Sequence, residues 1–113
     1  MLDSAELLKN AVNILKDKKA KDIEVIDIRE LTTITDYFVI CSGTSSRHIK
    51  SLTDELEQGL NDIGVMELSK EGYSTANWVL VDIGDVVVHI FQQEFRDLYD
   101  LERIWSDGIR VEI

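Results

Sequence analysis

The chain has 113 residues, 44% of them hydrophobic, which is enough for one domain with a modest core, here predicted over residues 1–113. No apolar run approaches the roughly 20 residues that span a bilayer. The first six residues lack the basic and apolar regions of a secretory leader. The net charge of -10 argues against a broad nucleic-acid-binding face and favours a basic partner. These features predict a cytoplasmic protein without a membrane contact.

The N-terminal third predicts a helix followed by a strand. Asp3 and Glu6 form the pattern of a capping box, in which Asp3 accepts from the backbone and Glu6 reaches back. Apolar residues then keep helical spacing, so the helix is expected to run to about Lys19. β-Branched residues from Ile23 to Ile28 predict the first strand.

A buried strand and a second helix are predicted next. Residues 37–41 are continuously apolar, which is typical of a strand covered on both faces. Its last residue, Cys41, is expected to be a buried, unreactive thiol. Hydroxyl side chains at 44–46 can cap the following helix and Gly64 can end it. The apolar residues of this helix are Ile49, Leu52, Leu56, Leu60 and Ile63.

The C-terminal half predicts a hairpin and a third helix. Residues 65–69 suit a short edge strand, and Gly84-Asp85 joins the strands Trp78–Ile83 and Val86–Phe91 through a two-residue turn. Apolar residues at 95, 98, 101 and 105 predict one continuous helix. The order α-β-β-α-β-β-β-α predicts an α/β (α+β) fold, with one mixed sheet of about five strands and flanking helices. Residues 109–113 are either a further edge strand or a loose tail.

The two-residue turn also predicts which hairpin side chains share a face. It pairs Ile83 with Val86, Val81 with Val88 and Val79 with Ile90, and this aliphatic face must be core. The other face places Trp78, Leu80 and Asp82 across from Phe91, His89 and Val87. Such a mixed face suits either a thin second layer of the domain or a docking surface.

Four parts of the chain carry a combined pattern. They are residues 35–48, the step Glu71-Gly72, the strand pair 78–91 with the pattern W…D-x-G-D-x-x-x-H, and residues 96–105 with the pattern R-x-x-Y-x-L-E-x-x-W. Over almost its whole length the chain resembles the ribosomal silencing factor family, also called Iojap-like.

This resemblance implies a translational repressor. Family members bind a ribosomal protein on the joining face of the large ribosomal subunit and block the small subunit, which lowers translation when nutrients are scarce. Organellar relatives act in ribosome assembly, so a large-subunit assembly factor is the alternative. The resemblance also implies a fold distantly similar to nucleotidyltransferases, and homodimers are common. Steric exclusion needs no catalytic residue and no cofactor, and no nucleic-acid contact of note is expected.

Six residues are candidates for the partner-binding surface: Trp78, Leu80, Asp82, His89, Tyr99 and Glu102. Trp78 suits the core as well as a docking anchor, and the resemblance favours docking. Leu80 and Asp82 share its face, although Asp82 could instead bond near the turn. His89 is expected to be structural and bonded to Asp82, its diagonal neighbour.

The third helix carries the remaining candidates. Tyr99 and Glu102 are three residues apart, so one helical face would present both, although Tyr99 could also pack on the sheet. Arg96 is expected to pair with Asp100 at i,i+4, and Trp105 is expected to close the helix as a core residue.

The best argument for an enzyme is the Gly43-Thr44-Ser45-Ser46 turn, because free N–H groups at a helix start can hold a phosphate. Nucleotidyl transfer also needs paired carboxylates for Mg²⁺, typically as D-x-D, and this pattern does not occur in the chain. A hydroxyl helix cap is therefore the favoured interpretation, with a nucleotidyltransferase-like enzyme as the weaker alternative. Cys41, His48 and His89 are too few and too scattered for a zinc site, so no metal is expected.

Overall fold

One mixed sheet organises the computed structural model, which describes residues 2–112. The helices are α1 (Ser4–Asp17), α2 (Ser46–Asp62), α3 (Gln93–Tyr99) and α4 (Leu101–Ile104). The strands are β1 (Lys21–Asp27), β2 (Tyr37–Gly43), β3 (Ser69–Glu71), β4 (Trp78–Asp82), β5 (Val86–Gln92) and β6 (Ile109–Val111). The sheet order is β3-β4-β5-β2-β1-β6, and the central pair β2–β5 is parallel while the other pairs are antiparallel. The predicted class of fold is confirmed.

The parallel central pair requires a crossover between β2 and the C-terminal hairpin, and α2 supplies it. α1 and α2 cover one face of the sheet and enclose the larger core with the valines and isoleucines of the hairpin. A smaller cluster of Ile26, Ile28, Ile40 and Phe91 lies on the other face, against residues of α3 and α4. The run at 37–41 is buried on both faces, as its unbroken apolar pattern predicts.

Helix ends follow the predicted caps with small shifts. The Asp3 carboxylate accepts from the Glu6 N–H at 2.8 Å, which is one half of the predicted capping box. α1 ends at Asp17 rather than at about Lys19, because Lys19 adopts a left-handed φ of 66°. At the end of α2, Gly64 has φ 94° and the Val65 N–H donates to the Leu60 carbonyl.

The edges of the sheet differ from the prediction. The short strand predicted over 65–69 lies at Ser69–Glu71, because the residues directly after α2 are used to cap that helix. Ile109–Val111 pairs with β1 as a sixth strand, so this part of the C-terminal segment is an edge strand. Residue 113 lies outside the described residues.

The prediction of one continuous helix over 95–105 is wrong. Asp100 takes a left-handed conformation with φ 49° and separates α3 from α4. Phe95, Leu101 and Trp105 still pack on the smaller cluster, but Leu98 is 71% exposed. Leu98, within α3, is therefore the one residue of the predicted apolar pattern that points outward.

Candidate partner-binding face

A continuous series of rings lies between the sheet and the two short helices α3 and α4, with four rings from the strands and two from the ends of the helices. We call it the aromatic face: Phe38, Trp78, His89, Phe91, Tyr99 and Trp105. The Trp78 ring stacks on Phe91 at 5.0 Å between centroids and contacts Tyr99 at 4.8 Å. The series continues from His89 to Phe38 at 4.9 Å, edge to face. Two short helices cover this face only in part, so the aromatic face is the thinly covered side of the sheet.

The hairpin register that places these rings is confirmed. Val79 pairs with Ile90 and Val81 with Val88 on the aliphatic face. On the other face Trp78 lies opposite Phe91, Leu80 opposite His89, and Asp82 opposite Val87. The Ile83 N–H donates to the Val86 carbonyl at 2.9 Å and closes the turn. Strand alternation therefore brings Trp78, Leu80, Asp82 and His89 to one side of the sheet.

A hydrogen bond orients the indole of Trp78. Its Nε1–H donates to Nδ1 of His89 at 3.0 Å. Because an indole nitrogen only donates, Nδ1 must be unprotonated, and the neutral imidazole carries its proton on Nε2. His89 is only 3% exposed, and this Nε2 has no hydrogen-bond partner among the described residues. Desolvation lowers the pKa of His89 to about 4.

The predicted bond between His89 and Asp82 is wrong. Asp82 is exposed and its carboxylate accepts from the Gly84 N–H at 2.9 Å, which is the alternative of a bond near the turn. Both Asp82 and Trp78 are diagonal neighbours of His89 in the ladder, and the indole occupies the imidazole nitrogen. His89 thus has the expected structural position, with a different partner.

The predicted shared helical face of Tyr99 and Glu102 is also wrong, because the break at Asp100 lies between them. Tyr99 packs on the Trp78 ring and remains 45% exposed. Glu102 turns toward the sheet, where its carboxylate lies 3.2 Å from Nη2 of Arg96. Glu102 is therefore tied to the fold, whereas Tyr99 is available at the surface.

Arg96 does not pair with Asp100 as predicted. It is 5% exposed, and its guanidinium donates to Ser42 Oγ at 2.9 Å and to Glu102. Asp100 instead accepts from Arg103 at 2.9 Å. Arg96 thereby links the end of β2 to both short helices and holds the layer that carries Tyr99.

Three of the six candidate side chains are apolar or aromatic and are partly exposed to solvent. Trp78 and Leu80 are half-buried, and Tyr99 is nearly half exposed. Sequence reasoning missed Leu98 and Ile104, which are 71% and 63% exposed on α3 and α4. Their spacing is typical of a buried helix face, so no local sequence signal identifies them as exposed residues. Trp105 is half-buried and packs edge to face on Phe38 at 5.0 Å.

The turn at 43–46 forms a helix cap. The Ser45 hydroxyl accepts from the His48 N–H at 3.0 Å, and the Thr44 N–H donates to Nδ1 of His48 at 2.9 Å. These side chains satisfy N–H groups that a phosphate would otherwise bind. Within residues 2–112, no group of three or more His, Cys, Asp or Glu side chains is placed to hold a metal ion.

Cys41 has the predicted environment. It is fully buried in the larger core, and desolvation raises the pKa of its thiol to about 12. In the described part of the chain, no helix is long and apolar enough to cross a membrane.

The fold and this face define a small α/β domain with a partly exposed aromatic face. A family model described as "Ribosomal silencing factor during starvation" matches residues 1–113. The ribosomal silencing factor RsfS of Halalkalibacterium halodurans is 38% identical over 112 residues, which cover 99% of this chain and 96% of that protein. The chain belongs to the ribosomal silencing factor family.

Two further proteins extend the comparison. A crystal structure of a protein from Chromobacterium violaceum superposes with a TM-score of 0.90 at 37% identity, covering 93% of this chain and 88% of that chain. A mouse protein named "Mitochondrial assembly of ribosomal large subunit protein 1" is 35% identical over 98 residues, which cover 84% of this chain and 43% of that protein.

Proposed function

We propose that this chain represses translation in the cytoplasm by binding a basic ribosomal protein on the joining face of the large ribosomal subunit, where it excludes the small subunit. The aromatic face is the observation that carries the proposal. Tryptophan and tyrosine are the residues that most often dominate binding energy in interfaces. Trp78 and Tyr99 contact each other at 4.8 Å, and both retain accessible surface.

The Trp78 ring is held in place before any partner arrives. His89 fixes the indole nitrogen, Phe91 stacks on one side and Tyr99 packs against it. An anchor that is already ordered loses little side-chain entropy on binding, so more of its contact energy contributes to affinity. The bond to His89 is therefore expected to increase affinity without touching the partner.

Charge and size support the same proposal. The chain carries 22 acidic and 12 basic side chains, and Asp82 is exposed at the end of the strand that begins with Trp78. Such a charge steers the chain toward a basic partner. The domain measures 33 × 32 × 22 Å, which exceeds the space left between two surfaces in contact. Binding to the free large subunit would shift the joining equilibrium by mass action, without chemistry.

The test is co-sedimentation with purified large subunits, together with a subunit-joining assay. Trp78→Ala is expected to weaken binding by about 30-fold or more, the scale of an interface hot spot. Tyr99→Ala is expected to disturb the fold less than Trp78→Ala, because the Tyr99 side chain is nearly half exposed. Met66→Ala is the control, since Met66 is an apolar side chain that is 71% exposed and lies outside the aromatic face.

Thermal unfolding of each variant separates lost binding from lost structure. If Tyr99→Ala and Trp78→Ala both fold and bind like the wild type, the assignment of the docking surface is wrong. If the wild type binds both subunits equally, or leaves joining unchanged at saturation, the proposed repression is wrong.

A role in large-subunit assembly is the second candidate, and the name of the mouse relative favours it. Docking on the same surface serves both roles, so binding assays do not separate them. Cells that lack the chain would accumulate immature large subunits if it acts in assembly. They would instead fail to lower translation on starvation if it acts as a repressor.

A further inference from the structure

Half of the basic side chains occupy two short segments that the fold brings together. These segments, residues 16–21 and 47–50, contain six of the twelve Lys and Arg residues. The His48 ring joins the two segments, because Nε2 lies 3.0 Å from the Lys18 carbonyl while Nδ1 accepts from the Thr44 N–H. We call this region the basic corner: Lys16, Lys18, Lys19, Lys21, Arg47 and Lys50.

A surface groove runs through the basic corner. Its volume is about 630 Å³, and its lining includes Lys18, Lys19, Lys21, Thr44 and His48. The left-handed conformation of Lys19 reverses the chain after α1, which sets the lysines beside the start of α2. The N-terminus of this 17-residue helix adds a partial positive charge to that of the side chains.

Three of the six cations of the basic corner have no ion pair among residues 2–112. Within this range, Lys19, Lys21 and Arg47 have no carboxylate oxygen within 4.0 Å of their charged groups. Lys18 has one exposed pair with Glu55 at 3.8 Å. Four acidic residues lie in or directly beside these segments, Asp17, Asp22, Asp54 and Glu55, and the six cations outnumber them. A local positive surface therefore persists on a chain with net charge -10.

The sheet register places the basic corner beside the aromatic face. Lys21 pairs with Ser42 at the end of β2, and the adjacent Gly43 pairs with Gln92 at the end of β5. Phe91, one residue before Gln92, pairs with Trp78. The two surfaces thus share one end of the sheet, with the basic corner toward the face that α1 and α2 cover, and a large partner that extends around this end would meet both.

We infer that the basic corner binds the phosphate backbone of large-subunit RNA while the aromatic face binds protein. This inference rests on the proposed function, since it adds a second contact to the same complex. The cations are spread over two segments and no Phe, Tyr or Trp side chain lines the groove, so the contact is to phosphates rather than to bases. The net charge of the chain does not exclude it, because counterion release depends on local contacts.

The test is the salt dependence of binding to purified large subunits. Lys19→Gln, Lys21→Gln and Arg47→Gln are combined in one triple variant, which removes three exposed cations. Each lost phosphate contact lowers the slope of log affinity against log salt by about 0.7–0.9. Between 50 and 200 mM salt, the wild type is expected to lose roughly 20- to 40-fold more affinity than the triple variant.

A control variant with the same change of charge uses Lys9→Gln, Arg29→Gln and Arg110→Gln, which are exposed and outside the basic corner. It is expected to keep the wild-type salt slope. A wild-type slope in the triple variant, while Tyr99→Ala still weakens large-subunit binding, overturns this inference alone.

A second probe separates this failure from that of the proposed function. Fluorescence anisotropy with a short RNA duplex at 50 mM salt needs no ribosomal protein. If the chain binds this duplex and the triple variant does not, while the chain fails to bind large subunits, the proposed function fails but the basic corner remains an RNA-binding surface.

Discussion

Acidification is expected to destabilise the fold through the buried imidazole of His89. Its folded-state pKa is about 4, against 6.5 for the ordinary side chain, because burial penalises the charged ring. Protonation would also place a donor at Nδ1 against the donating indole of Trp78. The unfolded chain therefore binds more protons than the folded chain between these two pKa values. The contribution of the neutral His89 to the unfolding free energy is fully present above pH 6.5, and it is lost as the pH falls toward 4.

The magnitude follows from the separation of the two pKa values. The full difference amounts to about 3 kcal/mol of unfolding free energy, reached below pH 4. Between pH 7 and pH 5 the expected loss is about 2 kcal/mol, in a range where ordinary carboxylates remain ionised. Measuring in this range separates the histidine from ordinary carboxylates, whose usual pKa values lie lower.

Urea unfolding at pH 7, 6 and 5 measures this loss. His89→Phe fills a similar volume and removes the titration, so its unfolding free energy should change much less with pH, whatever its absolute stability. His48→Gln removes the other histidine of the chain and is expected to keep the loss that His89 causes. If His89→Phe loses stability as steeply as the wild type over this range, the linkage to His89 is wrong.

Three further predictions concern the layers around the site. Gly72→Ala is expected to cost about 2 kcal/mol more than Gly64→Ala in urea unfolding, since both glycines have positive φ but only a Cβ at 72 would collide with the start of β4. Arg96→Met should cost about 3 kcal/mol by leaving the Glu102 carboxylate without its partner, and adding Glu102→Gln should recover part of this loss. Cys41 should react with a thiol reagent only after unfolding, because it is fully buried with a raised pKa.

Each of these predictions has an opposing result. Equal costs for the two glycine variants would mean that the loop at Gly72 moves freely away from β4. An additive double variant would show that Arg96 and Glu102 do not interact. Rapid labelling of the folded protein would show that the core around Cys41 opens locally.

The hairpin could be predicted in detail because local chemistry determines it. A two-residue turn at Gly84-Asp85 sets the register, and strand alternation then assigns every side chain to a face. The partner of His89 could not be predicted in the same way. The register offers both Trp78 and Asp82 as diagonal neighbours, and the choice depends on side-chain rotamers and burial.

The break between α3 and α4 shows where helical periodicity fails. The apolar spacing continues through Asp100 without interruption, so no local pattern indicates a left-handed residue there. The layer is held instead by Arg96, which bonds to Ser42, distant in sequence, and pairs across the break with Glu102. The positions of Tyr99 and Leu98 depend on this network, and so they required the structure.

The two-residue step Glu71-Gly72 is part of the pattern that indicates the family, and the structure gives it a physical reason. Gly72 has φ 82°, and a Cβ there would meet the carbonyl of Trp78. The glycine lets the loop lie directly on the backbone that positions the indole. The basic corner, in contrast, could not be anticipated from net charge, because folding joins segments about 30 residues apart, as the contact of His48 with Lys18 shows.

The outer strands of the sheet limit how the domain can associate with other chains. β3 and β6 have only three residues each, so an incoming strand would find few unpaired backbone groups. Each also carries a charged side chain in an exposed ion pair, Lys70 with Glu57 and Arg110 with Glu24. Extending the sheet by backbone pairing is thus disfavoured at both margins, which protects a small α/β protein from fibril-like stacking. Recognition of a partner is left to side chains on the faces of the sheet. Side chains discriminate between partners more readily than the backbone groups of an edge strand.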